Sequence, residues 1–138
     1  MQVTLEDIPA GLAGTNFTIK RMIELVRTGV IDPRLRQNTI AMIQAAGVDP
    51  ADHVSAARVI YNWIRANIAF VNDPAGVETI QDQALTFYRL RAGDCDDHSI
   101  LIAALAGSIG IPARFVTIGR DQNHFAHVYT ELRILGRW

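Results

Sequence analysis

Gly93-Asp94-Cys95-Asp96-Asp97-His98-Ser99-Ile100-Leu101-Ile102-Ala103-Ala104-Leu105-Ala106-Gly107-Ser108-Ile109-Gly110-Ile111-Pro112 is the stretch from which the fold follows. Arg91 to Asp94 break the preceding pattern, and Cys95 to Ser108 are apolar on nearly every side after the first turn. That predicts a helix in the middle of a domain, ended by Gly110-Ile111-Pro112. Beyond it, Ala113 to Ile118 are rich in β-branched and aromatic residues, as a strand requires, and Phe125 to Leu135 read as a second strand. In that second strand the two-residue period puts His127, Tyr129 and Glu131 on one face and Val128, Thr130 and Leu132 on the other. Gly136-Arg137 then resembles a hairpin turn.

Toward the N-terminus the punctuation is helical. Thr79 to Leu90 predict a short helix with a loop, Asn72-Asp73-Pro74-Ala75-Gly76 a turn, and Phe70-Val71 a short extended piece. Val54, Ala57, Ile60, Tyr61 and Ile64 form one stripe of a helix running from Asp52 to about Asn67. A helix after Asp32-Pro33 carries Leu35, Ile40, Met42 and Ile43 and stops at Gly47. Another spans Thr18 to Thr28, ending at Gly29, after a loose start containing Pro9, Gly11 and Gly14. Helices, one central helix and then consecutive antiparallel strands make an α+β fold. The organisation is a single domain, with residues 1–50 as a helical N-terminal part and 51–138 as the core.

Composition agrees. The 138 residues, 49% hydrophobic and 20% charged, suit one globular domain. Thirteen Lys and Arg against fourteen Asp and Glu leave a formal charge of −1, without the basic excess that phosphate-backbone binding demands. The longest apolar stretch, Ile100 to Ile111, is interrupted by Gly107, Ser108 and Gly110 and falls short of the roughly 20 residues that span a bilayer. Neither nucleic acid nor a membrane is an expected partner. Met1 to Asp7 show no basic region followed by an apolar one, so no secretory leader is read there.

The single cysteine, Cys95, excludes a disulfide framework and leaves a structural or a reactive thiol. At the first turn of a helix it faces unsatisfied N–H groups and the positive end of the dipole, which favour thiolate and could receive a developing oxyanion. Asp94, Asp96 and Asp97 oppose this, because nearby carboxylates disfavour a second negative charge; their plain reading is an acidic helix start, with Asp94 as its cap. Four histidines could serve as general base. His53 begins an amphipathic helix, His98 lies three residues from Cys95 at a spacing that seldom aims ring nitrogen at sulfur, and His124 falls in a loop. His127, early in a strand and flanked by Phe125, Ala126, Val128 and Tyr129, is expected to be partly buried and held in one orientation. A structural thiol remains open on these grounds.

The quoted stretch, continued through Ala113-Arg114-Phe115-Val116 and followed by His127-Val128-Tyr129-Thr130-Glu131, resembles the transglutaminase-like superfamily of papain-type cysteine enzymes. There a Gly-Asp-Cys segment opens the central helix and a His-Val-aromatic strand follows a Gly-Ile-Pro-Ala-Arg turn. The resemblance runs from Trp63, with Trp63-Ile64-Arg65-Ala66-Asn67-Ile68 as the helix leading into the core, to Glu131. Glu78-Thr79-Ile80-Gln81-Asp82 and the helical N-terminal part are also similar to the subset found in bacteriophage and prophage proteins. The resemblance implies Cys95 as nucleophile and His127 as acid and base, with the backbone N–H of Cys95 as one oxyanion donor. It implies protein or peptide substrates, no cofactor, and a cytoplasmic or phage-associated setting.

The family's third residue, an Asp or Asn that orients the histidine, comes from the strand after the His strand. Its expected place lies beyond Trp138, which implies a chain truncated at its C-terminus, a catalytic dyad or an inactive domain. Asp121, Asn123 and Glu131 are not assigned the role; Glu131 would sit about 13 Å from His127 along its strand. Hydrolysis is the expected outcome, since no amine pocket is evident; amine crosslinking and a catalytically inactive interaction module of a larger, phage-like protein are the alternatives. Asp121, His124 and His127 with Cys95 would make an acceptable zinc set at an unfamiliar spacing, and no Ca²⁺ loop is present, so no metal is expected.

Overall fold

In the computed structural model, which describes residues 11–75, 77, 79–121 and 125–138, every other element packs around or leads into one helix. This is α4 (Cys95–Ser108), with Ile100, Leu101, Ala103, Ala104, Leu105 and Ala106 all buried. Its start is fixed by Asp94, whose carboxylate accepts the N–H groups of Asp96 and Asp97, while Asp97 reciprocates by accepting the N–H of Asp94. Three N–H groups that would otherwise lack partners in the interior are thereby satisfied. At the other end Gly110, with φ +87°, reverses the chain so that Ile111 donates back to Ala106 O. A left-handed residue suits glycine there because it has no Cβ to clash.

Three helices cover α4: α1 (Gly11–Val30), α2 (Pro33–Ala45) and α3 (His53–Asn67). Asp32 and Asp52 cap α2 and α3 by accepting from Arg34 N–H and Ser55 N–H, and Pro33 takes the first turn, where its missing N–H is harmless. Ala56, Ile60 and Ile64 recur every fourth residue on α3 and meet Leu35 and Ile43 of α2 and Leu101 and Leu105 of α4 in the main core. Met22 of α1 packs with Ile100 and Val128 in a second cluster that Cys95 borders. The helix α1 begins well before Thr18, taking in Gly11 and Gly14, which the sequence places in a loose start. Tertiary burial of Gly14 and Thr18 outweighs the poor helix propensity of glycine; Pro9 lies outside the described residues.

The strands form two small sheets. In the first, β1 (Ala69–Phe70) and β2 (Ala92–Gly93) run parallel; in the second, β3 (Ala113–Gly119) and β4 (Phe125–Leu132) run antiparallel, with Thr117 opposite Val128. The sequence treats Ala92-Gly93 as part of a break, since two residues are too few to show a period, yet they pair with β1 and lead directly into Cys95. Thr79 to Leu90 include a π-helical segment, Leu85–Leu90, closed by Arg91 at φ +52° with its guanidinium 4.9 Å from the Trp63 ring centre. The second strand stops at Leu132 rather than Leu135. Ile134 and Arg137 exchange main-chain hydrogen bonds around Leu135 and Gly136, both at positive φ, so the hairpin turn falls one residue earlier than Gly136-Arg137. The α+β class and the antiparallel pair after the central helix stand as expected.

The close approach of α1 and α4 depends on glycine. A Cβ at Gly107 would lie 2.5 Å from Val30 Cγ2, inside any tolerable contact. Val30 is stiff at χ1, so relief requires helix displacement. Gly107→Ala is expected to lower unfolding stability by about 1–3 kcal/mol despite alanine's better helix propensity, as urea denaturation would show; an unchanged or raised midpoint contradicts this packing.

Candidate active site

Cys95 is the first residue of α4, half-buried, with Sγ 3.6 Å from Asp96 Oδ1, to which the thiol donates. Ser99, one turn on, shares its face and ties α4 to β4: Ser99 Oγ donates to Val128 O at 3.3 Å and Thr130 Oγ1 donates to Ser99 O at 2.9 Å. The N–H of Val128 is directed at the Cys95 sulfur. Both main-chain groups of Val128 therefore point away from β3 and toward the start of α4. On the other flank His98 turns to the first sheet. Its Nδ1–H donates to Asp94 O at 2.8 Å, its Nε2 lies 3.4 Å from Ile68 O, and its ring stacks 5.6 Å from Phe70. Cys95 thus sits on the helix face between β4 and β1, and His98 is committed elsewhere, as its spacing implied.

The thiol is not activated at rest. Burial, with the charges of Asp96 and Asp94 adding to it, pushes Cys95 up to about 11, and the Val128 N–H only partly offsets this. The dipole of the helix start, expected to favour thiolate, is outweighed by desolvation and by a carboxylate that accepts the thiol proton. Asp96 and Asp97 are themselves buried, 6% and 1% exposed, within the acidic helix start that the sequence implied. Asp97 accepts the N–H groups of Gln81 and Asp94, yet burial, with the charges of Asp94 and Asp73 adding to it, holds it up at about 7. Burial raises Asp94 as well.

His127 lies on β4 immediately before Val128, so its main chain borders the Cys95 sulfur. Its side chain is exposed rather than partly buried, because the face packed on α4 belongs to Val128 and Thr130 and the pleat turns His127 the other way. It has no hydrogen-bond partner among the described residues. Glu131 is held by Arg114, whose Nε donates to it at 2.7 Å. His53 opens α3, Asp121 is exposed after β3, and Asn123 and His124 lie outside the described residues. Among the described residues only Asp94, Cys95 and Asp96 bring ligand atoms within 4.8 Å of one another, so the zinc set with Asp121 and His127 is not assembled there. Sequence reasoning missed the Val128 N–H and the burial of Asp97; the Asp94–Asp97 spacing of a capping box was the available signal for the second.

A helix opening with Cys95 thus lies beside the strand that bears His127. The transglutaminase-like superfamily matches residues 40–138, and the chain belongs to it. Among solved structures, a candidate cysteine protease from Cytophaga hutchinsonii aligns with a TM-score of 0.57 and 24% identity, over 75% of this chain and 34% of its own. A candidate protease from Parabacteroides distasonis aligns with a TM-score of 0.66 and 13% identity, over 94% of this chain and 26% of its own. The chain therefore spans about a third or less of these neighbours' length, and at these identities they establish the fold. No curated protein matches significantly. No helix among the described residues is long and apolar enough to cross a membrane.

Two titrations follow. Alkylation of Cys95 by iodoacetamide is expected to stay slow through neutral pH in the folded wild type and to shift to lower pH in Asp96→Asn, which removes the proton-accepting charge; a wild-type midpoint below the free-thiol value of about 8.5 contradicts the site's electrostatics. For Asp97, a carboxyl ¹³C titration is expected to centre near 7, and a midpoint near 4 would show a solvated carboxylate. Because the folded value lies above the unfolded value of about 3.9, Asp97's contribution to stability is fully present below pH ~4 and is lost as pH rises toward 7.

Proposed function

We propose that this domain catalyses acyl transfer on amide bonds of protein or peptide substrates through a Cys95 thioester, with hydrolysis as the outcome. The observation that carries this is the placing of the Cys95 sulfur against the Val128 main chain, one residue from His127, at the start of a buried helix. The transglutaminase-like fold supports it. On approach of the substrate carbonyl, the exposed His127 side chain swings from the outer face of β4 to the sulfur and takes the thiol proton as the S–C bond forms, and the oxyanion is received by the backbone N–H of Cys95. Collapse breaks the C–N bond, and His127 protonates the leaving amine. Water then attacks the thioester, giving up a proton to His127 and releasing the acid and the thiol. A thiol protonated at rest fits this sequence, since the proton leaves only when a substrate displaces the Asp96 contact.

A second reading, an inactive module that keeps the fold for interaction, is favoured by the raised thiol pKa and by the absence of a partner for His127 among the described residues. Incubating the protein with casein and a fluorescent primary amine separates the possibilities. Hydrolysis gives new peptide ends, lost at least 100-fold in Cys95→Ser and strongly reduced in His127→Ala. Amine incorporation without cleavage makes the domain a crosslinking transferase. Equal behaviour of wild type and Cys95→Ser rejects enzymatic acyl transfer.

A further inference from the structure

One main-chain N–H at the start of α4 is left over. Asp94, Asp96 and Asp97 have theirs taken by the reciprocal caps and His98 donates to Asp94 O, whereas the N–H of Cys95 has no acceptor among the described residues. An N–H in the first turn points back along the axis, out of the helix start. A substrate carbonyl held there lies over the junction of β2 and α4, and the strand beside that junction is β1, with Phe70 opposite Gly93 in register. The main chain on either side of Phe70 is fixed, since Ala69 N–H donates to Arg91 O at 2.8 Å and Val71 N–H to Gly93 O at 2.9 Å. The Phe70 ring is nonetheless 59% exposed and belongs to neither buried cluster. One side of it rests on His98, ring centres 5.6 Å apart, and His98 is itself held between Asp94 O and Ile68 O.

We infer that Phe70 is the specificity-determining residue of this site, selecting a substrate that carries a large apolar side chain about three residues from the scissile amide. The inference rests on the acyl-transfer reading of Cys95 and adds to it what the substrate must present. The spacing follows from the helix. Cys95 and His98 are three residues apart, so their side chains leave α4 about 5–6 Å from one another, and the Phe70 ring beyond His98 lies about 10 Å from the sulfur. That is about three residues of extended chain. A ring already backed by a second ring is pre-organised, so covering it costs little ordering of the protein while removing apolar surface from water. The carboxylates at this junction are Asp94 and Asp73, the second acting on the first, and they repel an acidic side chain in the same place. Val71 is also exposed, but alternation along β1 turns it to the opposite face.

Peptidyl p-nitrophenyl esters test this against the full 138-residue chain, with phenylalanine, leucine, glutamine, lysine or glutamate as the third residue from the ester carbonyl and glycine elsewhere. The phenylalanine and leucine esters are expected to acylate Cys95 at least tenfold faster than the glutamine ester. In Phe70→Ala that ratio should fall to within twofold, Phe70→Leu should retain most of it, and Val71→Ala should keep the wild-type ratio. Equal rates for the phenylalanine and glutamine esters, or a ratio that survives in Phe70→Ala, overturns the proposal. So does a lysine ester faster than the phenylalanine ester, which would assign selection to Asp94 and Asp73. If no ester acylates Cys95, the acyl-transfer reading fails separately, and an amide NMR titration of the wild type with the phenylalanine and glutamine peptide amides decides on Phe70. Shifts centred on Phe70 and Gly93 with the phenylalanine peptide alone support its role, and their absence rejects it. The same titration decides should Phe70→Ala misfold by circular dichroism.

Discussion

A helix buried on every side begins here with carboxylates, and the surroundings of Cys95 follow from making that tolerable. Charged groups removed from water need partners, and each acid at the start of α4 is tied down. Asp94 caps, Asp97 closes the capping box and also anchors the incoming loop through Gln81, and Asp96 receives the thiol. Gly93 belongs to the same constraint, since a Cβ there would lie 2.5 Å from Asp97 Cβ. The short β1–β2 pair delivers Gly93 to this spot. What holds the helix start thus also fixes the position of Cys95.

The same electrostatics keep the sulfur quiet. A solvated helix start would lower a thiol's pKa, but burial together with Asp96 and Asp94 raises it. The Val128 N–H works in the opposite direction and belongs to the strand that carries His127. Helix and strand are locked by the two Ser99 hydrogen bonds, so sulfur and strand keep their relative position while the imidazole stays exposed. An enzyme built this way would be slow toward general thiol reagents and selective for a substrate that rearranges the contact between Cys95 and Asp96.

Much of the fold was legible because its signals are long. The helix Cys95–Ser108 is apolar after its first turn and Asp32-Pro33 marks a helix start unambiguously; of the stripe read on α3, Ile60 and Ile64 are buried, whereas Val54 and Tyr61 are exposed and Ala56 is buried instead. The misses are local and physical. Ala92-Gly93 is too short to show strand periodicity, Gly14 is carried into α1 by burial, and Leu135 takes a positive φ that no propensity favours. At the site, alternation along β4 was readable, and so was the sharing of one face by His127, Tyr129 and Glu131. Which face meets α4 was not, because both carry apolar residues; the packing of Val128 decides it and leaves His127 exposed. The raised thiol pKa was unreadable because it depends first on how deeply Cys95 itself is buried.

The most direct measurement is acylation of Cys95 by a peptidyl p-nitrophenyl ester, followed by nitrophenol release and by peptide mapping of the quenched protein. One acyl group on Cys95, formed in a burst that slows at least tenfold in His127→Ala, is the result this account predicts. A folded protein that is never acylated at Cys95, or is acylated equally fast without His127, would contradict it.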